Sequence, residues 1–204
     1  PLLQGREFLI QADFREAAGQ AFTDDPRSFR GKLSEILGFG LSDNGERALF
    51  IAALNALMRS IGRAEGTIHC RNKEPELCAE EMTGMIIDLY GPDTAVGIVG
   101  FQPAIMSRLS RELSSDNLKV TDFDRSNINS IKYGVKIWDG RKMTGELFRT
   151  CDVVLATGST VVNDSLSQLL AFSDIYRIPL YFYGTTIAGA SMVLKLKRLC
   201  FQSS

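Results

Sequence analysis

The stretch Ala95-Val96-Gly97-Ile98-Val99-Gly100-Phe101-Gln102-Pro103 constrains the fold more than any other part of the chain. It opens with a short continuous apolar run, the pattern of a parallel strand covered on both faces; alternation would mark a strand with one wet face. Gly100 breaks the run, and Pro103 is placed to open a helix carrying Ile105, Leu109 and Leu113 at helical spacing. The same grammar repeats downstream. Residues 118–124 read as a second strand ending in acids, 151–158 as a third, 163–172 as a helix with Leu166, Leu169 and Leu170 on one side, and 180–183 as a fourth strand. Strands alternating with helices require a parallel sheet with right-handed crossovers. Residues 135–143, with Trp138 and Asp139-Gly140, read as a hairpin turn.

Ahead of this repeat the signals differ. Phe8, Ile10, Ala12 and Phe14 alternate with Glu7, Gln11 and Asp13, Leu9 being the one mismatch, which predicts a half-buried strand. The next thirty or so residues hold Gly19, Asp24-Asp25-Pro26, Gly31, Gly38 and Gly40, and read as loop with short pieces of structure. Asp43 with Glu46 three residues on is a capping-box arrangement, followed by Phe50, Leu54, Leu57 and Ile61 at helical spacing until Gly62. Gly66-Thr67-Ile68-His69-Cys70-Arg71 reads as a short strand or extended segment. Pro75 suits the first turn of a helix with the stripe Cys78, Met82, Met85, Ile86 and Leu89, stopped by Gly91-Pro92. The expected division is a small α+β domain over residues 1–91 and a Rossmann-like domain over 92–204, an α/β protein overall. The last four residues, Phe201-Gln202-Ser203-Ser204, are expected to fray.

Charge narrows the function. With 23 Lys+Arg against 24 Asp+Glu in 204 residues the chain lacks the basic footprint of a nucleic-acid binder, since each phosphate contact needs a cation. Apolar runs fall far short of the roughly 20 residues that span a bilayer, which argues against a membrane partner. No signal-peptide pattern opens the sequence, and the four cysteines, at 70, 78, 151 and 200, lie too far apart for a stapled secreted module. Free thiols and a cytoplasmic location are expected. Because Pro1 rather than Met stands first, the natural chain is expected to begin upstream.

Open α/β sheets bind ligands at the carboxyl ends of their strands, so those ends hold the candidates. Gly97 and Gly100 would let a ligand approach the backbone; their spacing is not the dinucleotide fingerprint, and a tight turn explains them as well. Asp122 and Asp124 follow Gly97 by 25 and 27 residues, near where an acid binds ribose hydroxyls, or they are plain loop acids. Thr157-Gly158-Ser159-Thr160-Val161-Val162-Asn163 is the strongest local signal. It clusters hydroxyls and an amide ahead of a helix whose positive end would hold an anion, whereas N-capping needs only one such residue. Tyr183-Gly184-Thr185-Thr186-Ile187-Ala188-Gly189 supplies an opposite wall. His69, the one histidine, adjoins Cys70, with Arg71, Glu74 and Cys78 nearby. These side chains titrate, donate and accept, but the cysteine spacing is not that of structural zinc, and Cys78 also fits as a buried small hydrophobe. Asn55, among Ile51, Leu54 and Met58, reads as a buried amide that satisfies backbone groups or faces a cleft.

Ala53-Leu54-Asn55-Ala56, Gly66-Thr67-Ile68-His69-Cys70, Pro75-Glu76-Leu77-Cys78-Ala79, the 96–103 stretch and Ala156-Thr157-Gly158-Ser159-Thr160-Val161-Val162-Asn163 occur in this order. Together they resemble the putative heavy-metal chelation domain family, whose function is not known, from about Gly5 to about Ala190. The resemblance implies an enolase N-terminal-like domain followed by a Rossmann-like domain, with a cleft to which both contribute. It also implies a role in condensing or hydrolysing pterin-, flavin- or siderophore-like molecules, linked to metal handling. It carries over His69, Cys70 and Glu74 as the reacting groups, and Gly97, Gly100, Thr157, Gly158, Ser159, Thr160 and Asn163 as ligand-binding positions. To the latter the residue pattern itself adds Asp122, Gly184 and Thr185. The start at Pro1 departs from the family's usual length. His69 would be general acid/base, with Cys70 or Glu74 its auxiliary or a metal-facing group. The alternatives are a metal-chelate carrier or sensor without turnover, and a nucleotide- or S-adenosylmethionine-dependent transferase resting on Gly97, Gly100 and Asp122. The expected partner is a small molecule; a metal ion or metal chelate is the cofactor left open, and a homodimer is common at this size.

Overall fold

The computed structural model describes residues 7–204; the reading of the chain's opening at Pro1, and the start of the resemblance at Gly5, lie outside them. The described residues gather into two compact units. One runs up to Cys70 and takes in Gly158–Ser167 and Phe182–Ser204; the other comprises Arg71–Thr157 and Gln168–Tyr181.

The first unit holds the hairpin β1 (Phe8–Phe14) and β2 (Ala17–Thr23), the short α1 (Leu33–Ile36), and α2 (Asn44–Ser60). Period-2 alternation correctly marks β1, but β2 falls where loop is expected. Its Ala-Ala-Gly-Gln-Ala core has low strand propensity. What decides it is packing: a Cβ on Gly19 would stand 2.2 Å from the Ala56 amide nitrogen, so α2 lies directly on the strand and only glycine fits beneath it. The same contact reverses the expected face of α2. Phe50, Leu54 and Leu57 are only half-buried and Ile61 is exposed, while Ala48, Ile51, Ala52, Asn55 and Ala56 form the buried side. Small residues win because the strand approaches more closely than large side chains would allow. Asp43 caps α2 by accepting from the Glu46 N–H (2.9 Å), whereas the Glu46 carboxylate reaches one residue further back than a capping box requires, to the Ser42 N–H (3.2 Å).

In the second unit, α3 (Glu74–Tyr90) buries Cys78, Met82 and Ile86 as its stripe predicts, with Ala79 and Thr83 beside them, and leaves Leu89 exposed. Along the chain there follow β3 (Val96–Val99), α4 (Pro103–Glu112), β4 (Leu118–Asp122), β5 (Ile131–Lys132), β6 (Val135–Asp139), α5 (Gly140–Thr150), β7 (Val153–Thr157), α6 (Leu166–Tyr176), β8 (Leu180–Tyr183), α7 (Ala188–Leu194) and β9 (Arg198–Leu199), of which α7 and β9 fall in the first unit. The large sheet has the order β5-β6-β4-β3-β7-β8-β9 and is parallel in its β3–β4, β3–β7, β4–β6 and β8–β9 pairs; β5–β6 is antiparallel. Thus the chain is α/β with a mostly parallel seven-stranded sheet and a small two-stranded hairpin packed on a helix. Val96, Ile98, Val120, Ile137, Val153 and Leu155 are fully buried, as continuous apolar strands demand.

The hairpin expected around Asp139-Gly140 sits earlier. Tyr133 (φ 52°) and Gly134 (φ 78°) form the turn between β5 and β6, both in the left-handed region that two-residue hairpins require. Asp139 instead caps α5, accepting from the Arg141 N–H at 3.0 Å. An Asp-Gly pair serves either role; the buried series Thr144, Leu147 and Phe148 decides for the helix. The terminal residues do not fray, because Ile68 and Ser204 exchange backbone bonds in the first unit (2.8 and 3.3 Å). That exchange holds residues 66–70 as an extended segment rather than a strand of the sheet.

Candidate functional site

The sequence candidates fall in both units. In the second, the chain leaves β3 for β4 on one side and returns to β7 on the other, so the strand order switches direction at β3. Crevices at such switch points, beyond the carboxyl ends, are where open α/β sheets take ligands. Gly100 (φ 91°) turns the backbone there and donates to the Thr121 carbonyl at 2.8 Å. Asp122 pins the turn. Its two oxygens accept from the Phe101 N–H (2.8 Å) and the Asp124 N–H (2.7 Å), with the Asn127 amide at 3.4 Å. Gly97 points under α5: a Cβ there would lie 2.4 Å from a Leu147 methyl and 3.2 Å from the Cys151 sulfur. Thr157 ends β7, half-buried. Glu74, the first residue of α3, accepts from the Arg71 N–H. Cys151 is buried, and desolvation pushes its thiol up to about 11, away from reactivity.

The first unit gathers the rest. Gly158–Val161 is one 3-10 turn, and the helix expected from Asn163 begins only at Leu166. Asn163 closes a local turn ahead of that helix, its Oδ1 accepting from the Ser165 N–H (3.2 Å) and hydroxyl (2.6 Å). The turn packs against the segment after β8. A Cβ on Gly158 would stand 2.9 Å from the Ile187 amide nitrogen, so glycine at 158 is what allows the two backbones to meet. This brings four buried hydroxyl side chains, Ser159, Thr160, Thr185 and Thr186, onto two abutting turns. Thr186 Oγ1 accepts from the Phe22 N–H at 3.1 Å. Thr160 Oγ1 and Thr185 Oγ1 have no hydrogen-bond partner among the described residues, although the two are 1% and 0% exposed. Buried polar atoms are ordinarily satisfied, and leaving one unpaired costs about 1–3 kcal/mol. Thr83 and Thr121, in the second unit, are also unpartnered, but on different elements.

Asn55 holds these turns in place. Its side-chain nitrogen donates to the carbonyls of Gln20 (2.8 Å), Thr185 (3.2 Å) and Thr186 (3.0 Å), and its oxygen accepts from the Gly189 N–H (2.7 Å). Of its two expected roles it takes the first, satisfying backbone groups. Arg47, which sequence reasoning missed, donates to the Val162 carbonyl (2.6 Å) from α2 and anchors the other turn. Gly184 accepts at its carbonyl from Arg198 Nε (2.9 Å).

His69 and Cys70 belong to this unit as well. The His69 N–H donates to Gln20 Oε1 (2.7 Å), its ring meets Phe22 edge to face (centroids 5.2 Å apart), and Nδ1 lies 4.0 Å from Cys70 Sγ. Gln20 and Phe22 lie two apart on β2 and so share one face, a pairing legible only where 17–23 is recognised as a strand. His69 and Cys70 make two donors, and a metal centre closed by protein takes three or four. Among the described residues no group of three or more His, Cys, Asp or Glu side chains converges to hold a metal ion, so the donor set does not fit a resident metal. Nor is any described helix long and apolar enough to cross a membrane.

Among curated proteins none matches the chain. Two solved structures share its fold, both described as proteins of unknown function from the DUF364 family. The one from Pyrococcus horikoshii is 17% identical, with a TM-score of 0.58 over 89% of this chain and 68% of that one. The one from Desulfitobacterium hafniense DCB-2 is 16% identical, with a TM-score of 0.57 over 93% of this chain and 75% of that one. A family model described as "Putative heavy-metal chelation" matches residues 86–193, more than half of the sequence, and the chain therefore belongs to that family, DUF364.

Proposed function

We propose that the chain binds a small polar or anionic metabolite at the abutting turns of its first unit, Ser159-Thr160 and Thr185-Thr186, and that His69, seated against Phe22, handles a proton on it. One observation carries the reading: Thr160 and Thr185 each bury a hydroxyl without a partner, on two turns that glycine at 158 lets touch. Two such deficits in one place are relieved together by a ligand that accepts or donates there. His69 is the only imidazole in the chain, and imidazole is the side chain that ordinarily titrates near neutral pH. Family membership supports a pterin-, flavin- or siderophore-like molecule that is condensed or hydrolysed, with the hairpin and α2 as part of an enolase N-terminal-like domain and the parallel sheet as Rossmann-like. Cys70 beside His69 supports a second reading, a carrier for a metal chelate that brings most of its own ligands.

Native mass spectrometry with metal analysis on freshly purified protein tests this. A small molecule retained by the wild type and lost from Ser159→Ala, Thr160→Val and Thr185→Val is the expected result. Retention that is indifferent to all three overturns the placement. Loss of turnover with retained binding in His69→Ala separates the enzyme from the carrier, which would lose affinity by degrees.

A further inference from the structure

We propose a second ligand site in the second unit, at the carboxyl end of β6, that takes the phosphate group of a small phosphomonoester. It stands on observations independent of the proposed function. Two concavities, of about 410 Å³ and about 350 Å³, share Ile128, Asn129 and Asp139 as walls. Arg125 and Arg141 line the first; Lys136 and Lys142 line the second. Four cationic residues and one acidic residue thus line the two concavities in a chain whose net charge is −1, so the excess is local rather than a reflection of composition. The carboxylate is occupied. Asp139 accepts from the Arg141 N–H at 3.0 Å and lies 3.9 Å from Lys142 Nζ.

The two arginines differ in a useful way. Arg141 is held: it donates to the Phe123 carbonyl at 3.1 Å, and its guanidinium carbon stands 4.9 Å from the Phe123 ring centre. A guanidinium already fixed by stacking loses little further freedom on binding. Arg125 has no ion-pair or hydrogen-bond partner among the described residues, so its donors are available. A planar fork offers paired N–H groups to a tetrahedral oxyanion, and two forks from separate segments suit a dianion better than a single carboxylate. The volume exceeds what a phosphate alone would fill. Trp138, Met143 and Ile128 provide an apolar wall for the body of the ligand, which makes a phosphate ester the fitting class.

Trp138 is the chain's only tryptophan, so intrinsic fluorescence reports on this cavity directly. Phenyl phosphate titrated into the whole chain is expected to shift that fluorescence saturably, with a dissociation constant on the order of 1 mM or tighter. Inorganic phosphate should compete, and phenol should not. Arg125→Gln and Arg141→Gln should each weaken binding by about tenfold or more, while Lys132→Gln, outside both cavities, leaves it unchanged. Melting curves identify any variant that fails to fold; should Arg141→Gln do so, the exposed Arg125→Gln decides. A response that does not saturate, that phenol reproduces, or that a folded Arg125→Gln leaves intact overturns the proposal.

Discussion

The strand ends at Val99 and Thr157 are written alike, an apolar run closed by a glycine turn, yet their polar groups end in opposite states. Beyond β3 the turn is closed on itself: Gly100 donates to Thr121, and Asp122 takes the Phe101 and Asp124 N–H groups. Beyond β7, Asn55 and Arg47 fix the backbone of two touching turns, while Thr160 and Thr185 keep buried hydroxyls with nothing to bond. The difference teaches where to look for a ligand. A glycine turn with an acid beside it resembles a nucleotide site in sequence, and here the acid also clasps its own loop. The proposed ligand site rests on the hydrogen bonds that the fold leaves unmade.

The comparison breaks most visibly at Asn55. Asn55→Ala leaves three carbonyls and the Gly189 N–H without their partner in a fully buried position, and should lower unfolding free energy by about 3–5 kcal/mol in a urea melt. A loss under about 1 kcal/mol would mean that the turns of the first unit are held by something else. Asp122→Ala should cost less, about 1–2 kcal/mol, because its loop is half-exposed and water can replace the carboxylate. It should leave retention of any co-purifying ligand unchanged, and loss of that ligand would make Asp122 a binding residue after all.

Thr160→Val and Thr185→Val sharpen the contrast further. Removing an unpaired hydroxyl at nearly constant volume should be neutral or stabilising by up to about 1 kcal/mol in thermal melts, while ligand retention fails. Thr121→Val, the matching change in the second unit, should be equally mild and leave retention intact. A clear destabilisation at Thr160 or Thr185 would show that its hydroxyl already has a partner. The last effect is confined to alkaline pH. The Cys151 thiol, pushed by burial from 9.0 to about 11, favours the folded state while protonated. Its contribution is complete below pH 9.0 and is lost as pH rises toward about 11, because the unfolded chain then ionises first. Cys151→Ala should flatten the pH dependence between those values and leave the pH dependence near pH 7 unchanged, whatever its uniform cost as a core truncation.

Much of this could be read from residues in order. Apolar continuity located β3, β4, β7 and β8 to within two residues, and Asp43 and Pro103 marked the starts of α2 and α4, because strand burial and helix capping are local demands. The misreadings share a cause. In β2, Gly19 looks like a loop residue until α2 is seen lying on it. Asp139-Gly140 looks like a turn until the buried face of α5 is seen. On α2 the larger side chains suggested the wrong face, since the buried one is set by how near β2 comes.

The candidate site divides the same way. Sequence alone picked out the hydroxyls at 159, 160 and 185, Asn55 and the His69-Cys70 pair, because residue type and position after a strand are legible one element at a time. Only tertiary structure decided that Asp122 bonds its own loop, that Gly97 makes room for Leu147, that Asn163 bonds Ser165, and that Gln20 and Phe22 flank His69. Whether a polar side chain is available to a ligand depends on which distant backbone groups have already engaged it, and that is settled by long-range packing rather than by the residues beside it.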